Sequence, residues 1–143
     1  ASLATIGSIA VANPELFLNW VSTYGAQAFF LGADVKDNLI AVNGWLKTSD
    51  ISINDFIGGY INQGITNIFC TDVTKDGRLE GPSTVLYESL LSMFPQLKLV
   101  ASGGVSSLQD LETLASIGCA GAIVGKAIYE NRISLKALQQ FNA

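Results

Sequence analysis

The sequence predicts an α/β fold built on a parallel sheet, and three observations carry that prediction. Short apolar runs alternate with amphipathic stretches about five times along the chain. The predicted strands are apolar on both faces, as in a parallel sheet that helices cover. Polar and glycine-rich residues cluster after the strand ends, where parallel α/β folds bind their ligands.

The composition fits one domain over residues 1–143 with a sizeable core, since 49% of the residues are hydrophobic and 14% are charged. The net charge of −4 argues against a general nucleic-acid binder. The absence of an apolar stretch of about 20 residues predicts no membrane span. Histidine is absent, so acid–base chemistry would fall to carboxylates, lysine, tyrosine or cysteine. The low charge indicates that part of the surface is covered by something else.

The two cysteines and the first residues bear on location and completeness. Cys70 and Cys119 lie in apolar runs, which predicts buried thiols in a reducing compartment. No signal peptide is visible, so we expect a cytoplasmic protein. The chain opens with Ala1 and runs directly into a strand, which is typical of the interior of a longer protein.

The first half of the chain predicts two strands, two helices and an arm. Asn13 as cap, Pro14 in the first turn and Glu15 beside the helix dipole predict a helix that ends at Gly25. The other elements of this half are a strand within 3–9, a strand over 28–35, a turn at 36–38, an extended arm over 39–42 and a helix over 52–62 that ends at Gly64.

The second half continues the alternation of strand and helix. Pro82 is predicted to begin a helix whose buried face carries Leu86, Leu90 and Met93. The remaining elements are strands over 66–73, 98–102 and 120–124, a helix capped at 106–107 and ended by Gly118, and a last helix over 134–141.

A pattern of strand, glycine and polar residue occurs twice, 118 positions apart. It gives Gly7-Ser8 after the first strand and Gly125-Lys126 after the last. Glycine lets a ligand approach the backbone, and the neighbouring amides can hold an anion. The pair suggests a substrate with two phosphates; the alternative is that each glycine only makes a turn.

A third glycine site, Ser102-Gly103-Gly104, lies one βα unit before Gly125-Lys126. Barrel proteins often bind phosphate between the loops after their last two strands. The amides of these two sites are therefore expected to form one phosphate cradle.

Asp34 is the principal acid–base candidate because it stands at the end of a long apolar run. Partial loss of water favours the protonated form of a carboxylate there and suits it to proton transfer. The alternative is that Asp34 caps a turn. Asp72 is similarly placed and could be structural, while Asp76-Gly77 fits a simple turn.

Trp45 is a large aromatic residue that follows Asn43-Gly44 in a polar loop. It is either a core anchor or a lid that stacks on a planar ligand.

Several segments combine in chain order into a recognisable set, namely 31–35, 42–45, 70–77 with 79–82, 101–105 and 123–127. Together they resemble the histidine-biosynthesis isomerase family, the phosphoribosylformimino-5-aminoimidazole carboxamide ribotide isomerases. The resemblance implies a (βα)₈ barrel of two similar halves. It places this chain in the C-terminal portion, from the fourth strand to the eighth helix, with about five βα units.

The resemblance also implies roles for individual residues, with Asp34 as the general acid. Substrate contacts fall to Trp45, Thr71, Asp76 and Gly77. One phosphate site falls to Ser102, Gly103, Gly104, Gly125 and Lys126, and part of the other to Gly7 and Ser8.

The implied reaction is an Amadori rearrangement of an aminoaldose with two phosphates, without metal or organic cofactor. The partner base is an aspartate on the first strand, which this chain lacks, so we expect the isolated chain to be inactive. The resemblance leaves two alternatives, the related cyclase of the same pathway and a non-catalytic phosphate-binding half-barrel. Without the other half of the barrel, the chain is expected to self-associate through its uncovered face.

Overall fold

A computed structural model describes residues 2–143 as alternating strands and helices around one sheet. The strands are β1 Ala4–Ile6, β2 Phe29–Lys36, β3 Leu39–Val42, β4 Lys47–Ser52, β5 Asn67–Asp72, β6 Lys98–Ser102 and β7 Gly121–Ile123. The helices are α1 Ile9–Ala12, α2 Pro14–Tyr24, α3 Ile53–Asn62, α4 Thr84–Met93, α5 Leu108–Ser116, α6 Lys126–Tyr129 and α7 Leu135–Phe141, and a short 3₁₀ turn covers Ala26–Ala28.

Five strands form a parallel sheet in the spatial order β1, β2, β5, β6, β7, which is also their order along the chain. Each parallel step is bridged by helical segments, as a βα repeat requires. The predicted α/β class with a mostly parallel sheet is confirmed, and the arrangement is consistent with part of a barrel. No helix within residues 2–143 has both the length and the apolarity that a membrane crossing needs.

A β-hairpin interrupts the repeat after β2. The predicted turn lies at Asp37 and Asn38, both with positive φ, which suits a tight two-residue hairpin turn. The predicted arm is β3, but β4 was not expected, because 47–52 is a polar segment without apolar alternation. β4 pairs antiparallel with β3 and lies at the edge of the sheet. The hairpin tip carries Trp45.

The core lies between the helices and one face of the sheet. Phe17 of α2 packs edge-on against Phe29 of β2 and also against Tyr60 of α3. Tyr60 further donates a 2.6 Å hydrogen bond to the carbonyl oxygen of Ala10. In α4 the buried side chains are Tyr87 and Leu90. Met93, predicted on the buried face, is half exposed, so that part of the helix prediction is wrong.

Helix boundaries follow the capping residues. The Asn13 side chain accepts from the Leu16 amide, and the Ser52 and Ser134 hydroxyls accept in the same way at α3 and α7. The helix predicted from Pro82 begins two residues later, at Thr84. The four-residue helices α1 and α6 were not predicted, because four residues are too few to show a helical period.

The other face of the sheet carries few side chains that helices cover. Phe30 and Phe69 contact each other there, with ring centroids 4.9 Å apart, and both are only partly buried. Ile123 on the same face is 45% exposed. The candidate site lies on this face of the sheet, at the carboxyl ends of the parallel strands.

Candidate active site

Four residues stand side by side across the carboxyl ends of the parallel strands. The register pairs Asp34 with Thr71, Thr71 with Ser102, and Ser102 with Ile123. Residues paired in a parallel sheet share a face. The strand register therefore brings the predicted acid, the predicted substrate-contacting threonine and the first residue of the predicted cradle into one row.

Asp34 lines a cavity of about 140 Å³ at one end of this row. Gly7 and Ser8 line the same cavity, as does Trp45 from the hairpin tip. Its floor is Phe69 lying on Gly32, where an added Cβ would meet the phenyl ring at 2.4 Å. The cavity therefore joins the first glycine site to the predicted acid.

Trp45 reaches across the Asp34 cavity. Its indole Nε1 donates a hydrogen bond of 2.8 Å to Asp34 Oδ2. Trp45 is 43% exposed, so the core-anchor alternative is wrong. Asn43, Gly44 and Trp45 all have positive φ, and this turn is what aims the indole back at β2. The turn-cap alternative for Asp34 is also wrong, because its side chain accepts from Trp45 in the β3–β4 turn and not from an amide of the turn after β2.

A second cavity of about 250 Å³ lies at the other end of the row. The predicted cradle residues line it together with the loop after β5; they are Ser102, Gly103, Gly104, Gly125 and Lys126, joined by Asp76 and Gly77. The structure thus groups the predicted site residues into two neighbouring sets, with the nearly buried Thr71 between them in the row.

Gly103 and Gly104 are in close contact with the loop over residues 73–83. A Cβ on Gly104 would lie 2.3 Å from the carbonyl oxygen of Gly81, and the Gly81 amide donates a 2.9 Å hydrogen bond to the carbonyl oxygen of Gly104. Both glycines have positive φ. The sequence pattern links these glycines only to an anion, whereas the structure shows that their lack of a side chain also lets this loop pack against them.

Lys126 connects the second glycine site to the same loop. Its Nζ donates a 2.8 Å hydrogen bond to the carbonyl oxygen of Gly77 and lies 3.5 Å from Oε1 of Glu130. The ion pair is half exposed and contributes little to stability. Lys126 therefore lines the cavity and holds the loop carbonyl of Gly77 beside it.

The internal repeat has a structural counterpart. Gly7 follows β1 and Gly125 follows β7, each after a short strand, and each is followed by a four-residue helix, α1 or α6. The two glycines lie in different cavities, one with Asp34 and one with Lys126. The repeat therefore marks the two ends of the candidate site.

Asp72 faces away from both cavities, because it pairs with the buried Val35 on the helix-covered side of the sheet. Its Oδ1 accepts from the amide and hydroxyl of Thr74 at 2.9 and 2.7 Å, and its Oδ2 accepts from the Ser83 hydroxyl. Burial alone would raise the pKa of Asp72, but these hydrogen bonds and the nearby Lys75 ammonium hold that pKa below its ordinary value.

Sequence reasoning missed Ser83 and Tyr87 beneath the site. The Tyr87 hydroxyl lies 3.1 Å from the carbonyl oxygen of Cys70 and 2.9 Å from that of Ser102, so its single proton is shared between these two acceptors. Its buried position in an otherwise apolar helix face is the signal that could have found it, because a buried hydroxyl needs a partner. Ser83 was missed because the helix was predicted to begin at Pro82, whereas α4 begins at Thr84 and leaves Ser83 before it.

Cys70 and Cys119 are free thiols, the first buried and the second partly buried. Burial raises the pKa of Cys119 to about 11 and also raises that of Cys70, so both are neutral at pH 7. Among residues 2–143, no group of three or more His, Cys, Asp or Glu side chains is placed to hold a metal ion.

Comparison with known proteins gives consistent results. The family described as "Histidine biosynthesis protein" matches residues 1–134. A relative from Flavobacterium psychrophilum is 51% identical over 99% of this chain and 58% of its own length, and one from Parabacteroides distasonis is 47% identical over 99% of this chain and 59% of its own. Both relatives are named 1-(5-phosphoribosyl)-5-((5-phosphoribosylamino)methylideneamino) imidazole-4-carboxamide isomerase. The chain thus spans less than two thirds of the length of these relatives.

Proposed function

Because this chain belongs to the histidine biosynthesis protein family, we propose that it forms five consecutive βα units of a (βα)₈ barrel that isomerises a phosphoribosylamino imidazole carboxamide. The substrate is an aminoaldose with a phosphate at each end, and the product is the corresponding aminoketose. The observation that carries the proposal is the 47–51% identity over 99% of the chain to relatives named as this isomerase.

The geometry supports a substrate that extends along the row of strand ends. One phosphate would bind at Gly7 and Ser8, and the other at the cradle that Gly103, Gly104 and Lys126 line. Backbone amides near glycine and a lysine ammonium are groups that bind phosphate. The reacting ribosylamine would then lie near Asp34, in the cavity that also holds the first glycine site.

The proposed chemistry needs one acid and one base. Asp34 donates a proton to the ribosylamine ring oxygen, and the ring opens to an iminium. A base then removes the C2 proton to give an enolamine, which becomes the aminoketose as a proton adds to C1 and the C2 hydroxyl loses its proton. The family resemblance assigns the base to an aspartate on the first barrel strand, outside the part of the barrel that this chain forms. General acid–base catalysis of this kind contributes about 10²–10⁴-fold to a rate.

Four other residues would position the substrate. Trp45 would stack on the planar imidazole from the hairpin tip, because its ring is 43% exposed over the Asp34 cavity. Thr71 stands beside Asp34 in the row, and Asp76 with Gly77 lines the phosphate cavity. The segments 43–45 and 125–127 favour the isomerase over the related cyclase.

We also propose a cytoplasmic location and a partner for the open face. Two free thiols are typical of a reducing compartment. The inner face with Phe30, Phe69 and Ile123 would be covered by the rest of the barrel, or by a second copy when the 143 residues are expressed alone.

The test is made in the natural full-length gene product that contains these residues. Isomerase activity and ammonia-dependent cyclase activity are measured with the purified protein. Cyclase activity without isomerase activity would overturn the proposal.

Three variants then test the assignment of the acid. Asp34→Asn is expected to lower kcat at least about 100-fold while the protein still binds substrate. Asp37→Asn, an exposed position in the neighbouring turn, is the matched control and should leave kcat unchanged. Asp76→Asn is expected to raise KM; loss of turnover in this variant with retention in Asp34→Asn would move the acid role to Asp76.

A further inference from the structure

The loop over residues 73–83, here called the Asp76 loop, joins β5 to α4 and carries Asp76 and Gly77 to the phosphate cavity. Three of its residues, Gly77, Leu79 and Gly81, have positive φ. Such a loop is not held in one shape by a regular ladder, so its conformation depends on contacts made with its surroundings.

Asp72 contacts both ends of the Asp76 loop with different oxygens. Oδ1 accepts from Thr74 at the start of the loop, through both the amide and the hydroxyl, and Oδ2 accepts from Ser83 at its end. The main-chain carbonyl of Asp72 accepts from the amides of Lys75 and Asp76 at 3.0 and 3.1 Å. One residue thus fixes the entry, the exit and the Asp76 backbone of the loop.

The use of Ser83 strengthens this interpretation. Ser83 occupies the N-cap of α4, where a serine hydroxyl normally accepts from an amide of its own helix. Here it makes no such bond and donates to Asp72 instead. Ser52, the N-cap of the equally long α3, caps normally by accepting from the Asp55 amide. The α4 cap is therefore diverted to the loop.

We propose that Asp72, acting through Ser83 and Thr74, is a positioning residue that holds Asp76 at the phosphate cavity before substrate binds. Asp72 itself lies on the helix-covered face of the sheet and lines neither of the two cavities of the candidate site. The proposal rests on the proposed isomerase function for its consequence, the affinity for substrate. A loop that is already ordered spares the entropy of ordering it on binding, so its release raises KM.

The experiment compares Ser83→Ala with Ser52→Ala in the full-length protein. Each variant removes one N-cap hydroxyl from a ten-residue helix. Ser83→Ala is expected to raise KM about tenfold with kcat nearly unchanged. Any loss of stability in this variant comes from the lost hydrogen bond to Asp72, since the hydroxyl does not cap α4. Ser52→Ala is expected to lower stability by a normal cap contribution and to leave KM unchanged.

Asp72 variants and hydrogen exchange complete the test. Asp72→Ala should raise KM more than Asp72→Asn, because asparagine keeps an acceptor for Thr74. The backbone amide hydrogens of residues 75 and 76 should exchange with solvent faster in Ser83→Ala than in the wild-type protein. Unchanged KM in Ser83→Ala, or a KM rise of the same size in Ser52→Ala, would overturn the proposal.

The exchange measurement separates this proposal from the proposed function. If the protein has no isomerase activity, the proposed function is wrong. Faster amide exchange in Ser83→Ala would still support the proposal that Asp72 positions the loop. Unaltered exchange in that variant overturns the positioning role whatever the protein catalyses.

Discussion

The indole Nε1 of Trp45 donates a 2.8 Å hydrogen bond to Oδ2 of Asp34, from a hairpin tip to the end of the neighbouring strand. Trp45 has φ +72°, which is uncommon outside glycine and costs about 1–3 kcal/mol. The contact fixes one oxygen of the proposed acid and holds the hairpin tip over its cavity.

Trp45→Phe keeps an aromatic ring and removes the donor to Asp34. This hydrogen bond orients the carboxyl group of Asp34, so we expect kcat to fall about tenfold when Asp34 and the hairpin tip lose their shared contact. Trp45→Ala removes the ring as well and should also raise KM. Trp20→Phe on α2 is the matched control and should leave kcat unchanged. An equal fall in kcat in both variants, measured by steady-state kinetics, would contradict the role of the Trp45 indole.

Gly104→Ala places a methyl group where the carbonyl of Gly81 already lies, at 2.3 Å. We expect the Asp76 loop to be displaced, with KM raised and the free energy of unfolding lowered by more than the ~1 kcal/mol typical of alanine at positive φ. Gly118→Ala is the control, because Gly118 has φ +99° and an added Cβ would make only an ordinary contact, with Leu91 at 3.8 Å. That variant should lose only the free energy of unfolding that the strained backbone costs, as measured by urea unfolding. Its kcat and KM should stay unchanged.

Lys126→Met removes the ammonium that bonds the Gly77 carbonyl and faces the proposed phosphate. A charge-assisted contact of this kind predicts a rise in KM of about 10- to 100-fold, measured at low salt. Lys126→Arg should keep most of the affinity because the charge remains, and Lys136→Met on α7 should have no effect. Equal KM values for Lys126→Met and Lys136→Met would remove Lys126 from the cradle.

The sequence predicted the features that depend on neighbours along the chain. Ser107 and Asp110 form a capping box three residues apart, and the helix cap predicted at 106–107 is where α5 begins. The Trp45–Asp34 bond was not predictable, because it depends on how the β3–β4 hairpin folds back on β2. The hydrogen bond from Ser83 to Asp72 was not predictable for a similar reason, since it depends on how the Asp76 loop folds back on β5.

Tyr87→Phe tests the connection between α4 and the strand ends. The buried hydroxyl shares its single proton between the carbonyl oxygens of Cys70 and Ser102. Its removal should lower the free energy of unfolding by about 1–2 kcal/mol, because both acceptors stay buried. Tyr129→Phe, at a position 86% exposed, is the control and should change it by less than about 0.5 kcal/mol. Equal unfolding midpoints for the two variants in urea would show that the hydroxyl contributes nothing.

The depressed pKa of Asp72 predicts how the stability of the protein changes in acid. Burial opposes the charged form, but the Ser83 and Thr74 hydrogen bonds and the Lys75 charge outweigh it, so the folded pKa lies below the unfolded value of about 3.9. Such a group stabilises the fold fully above the unfolded pKa and loses that contribution as pH falls through the folded one.

Asp72→Asn cannot titrate, so its stability deficit should be largest near neutral pH and should shrink below about pH 4. Urea unfolding of both proteins at several pH values between about 3 and 7 measures this difference. Asp37→Asn in the exposed turn is the control and should change the free energy of unfolding at neutral pH by less than about 0.5 kcal/mol. If the stability deficit of Asp72→Asn stayed constant over this pH range, the charge of Asp72 would contribute nothing to the free energy of unfolding. Uncharged hydrogen bonds would then be enough to hold the Asp76 loop.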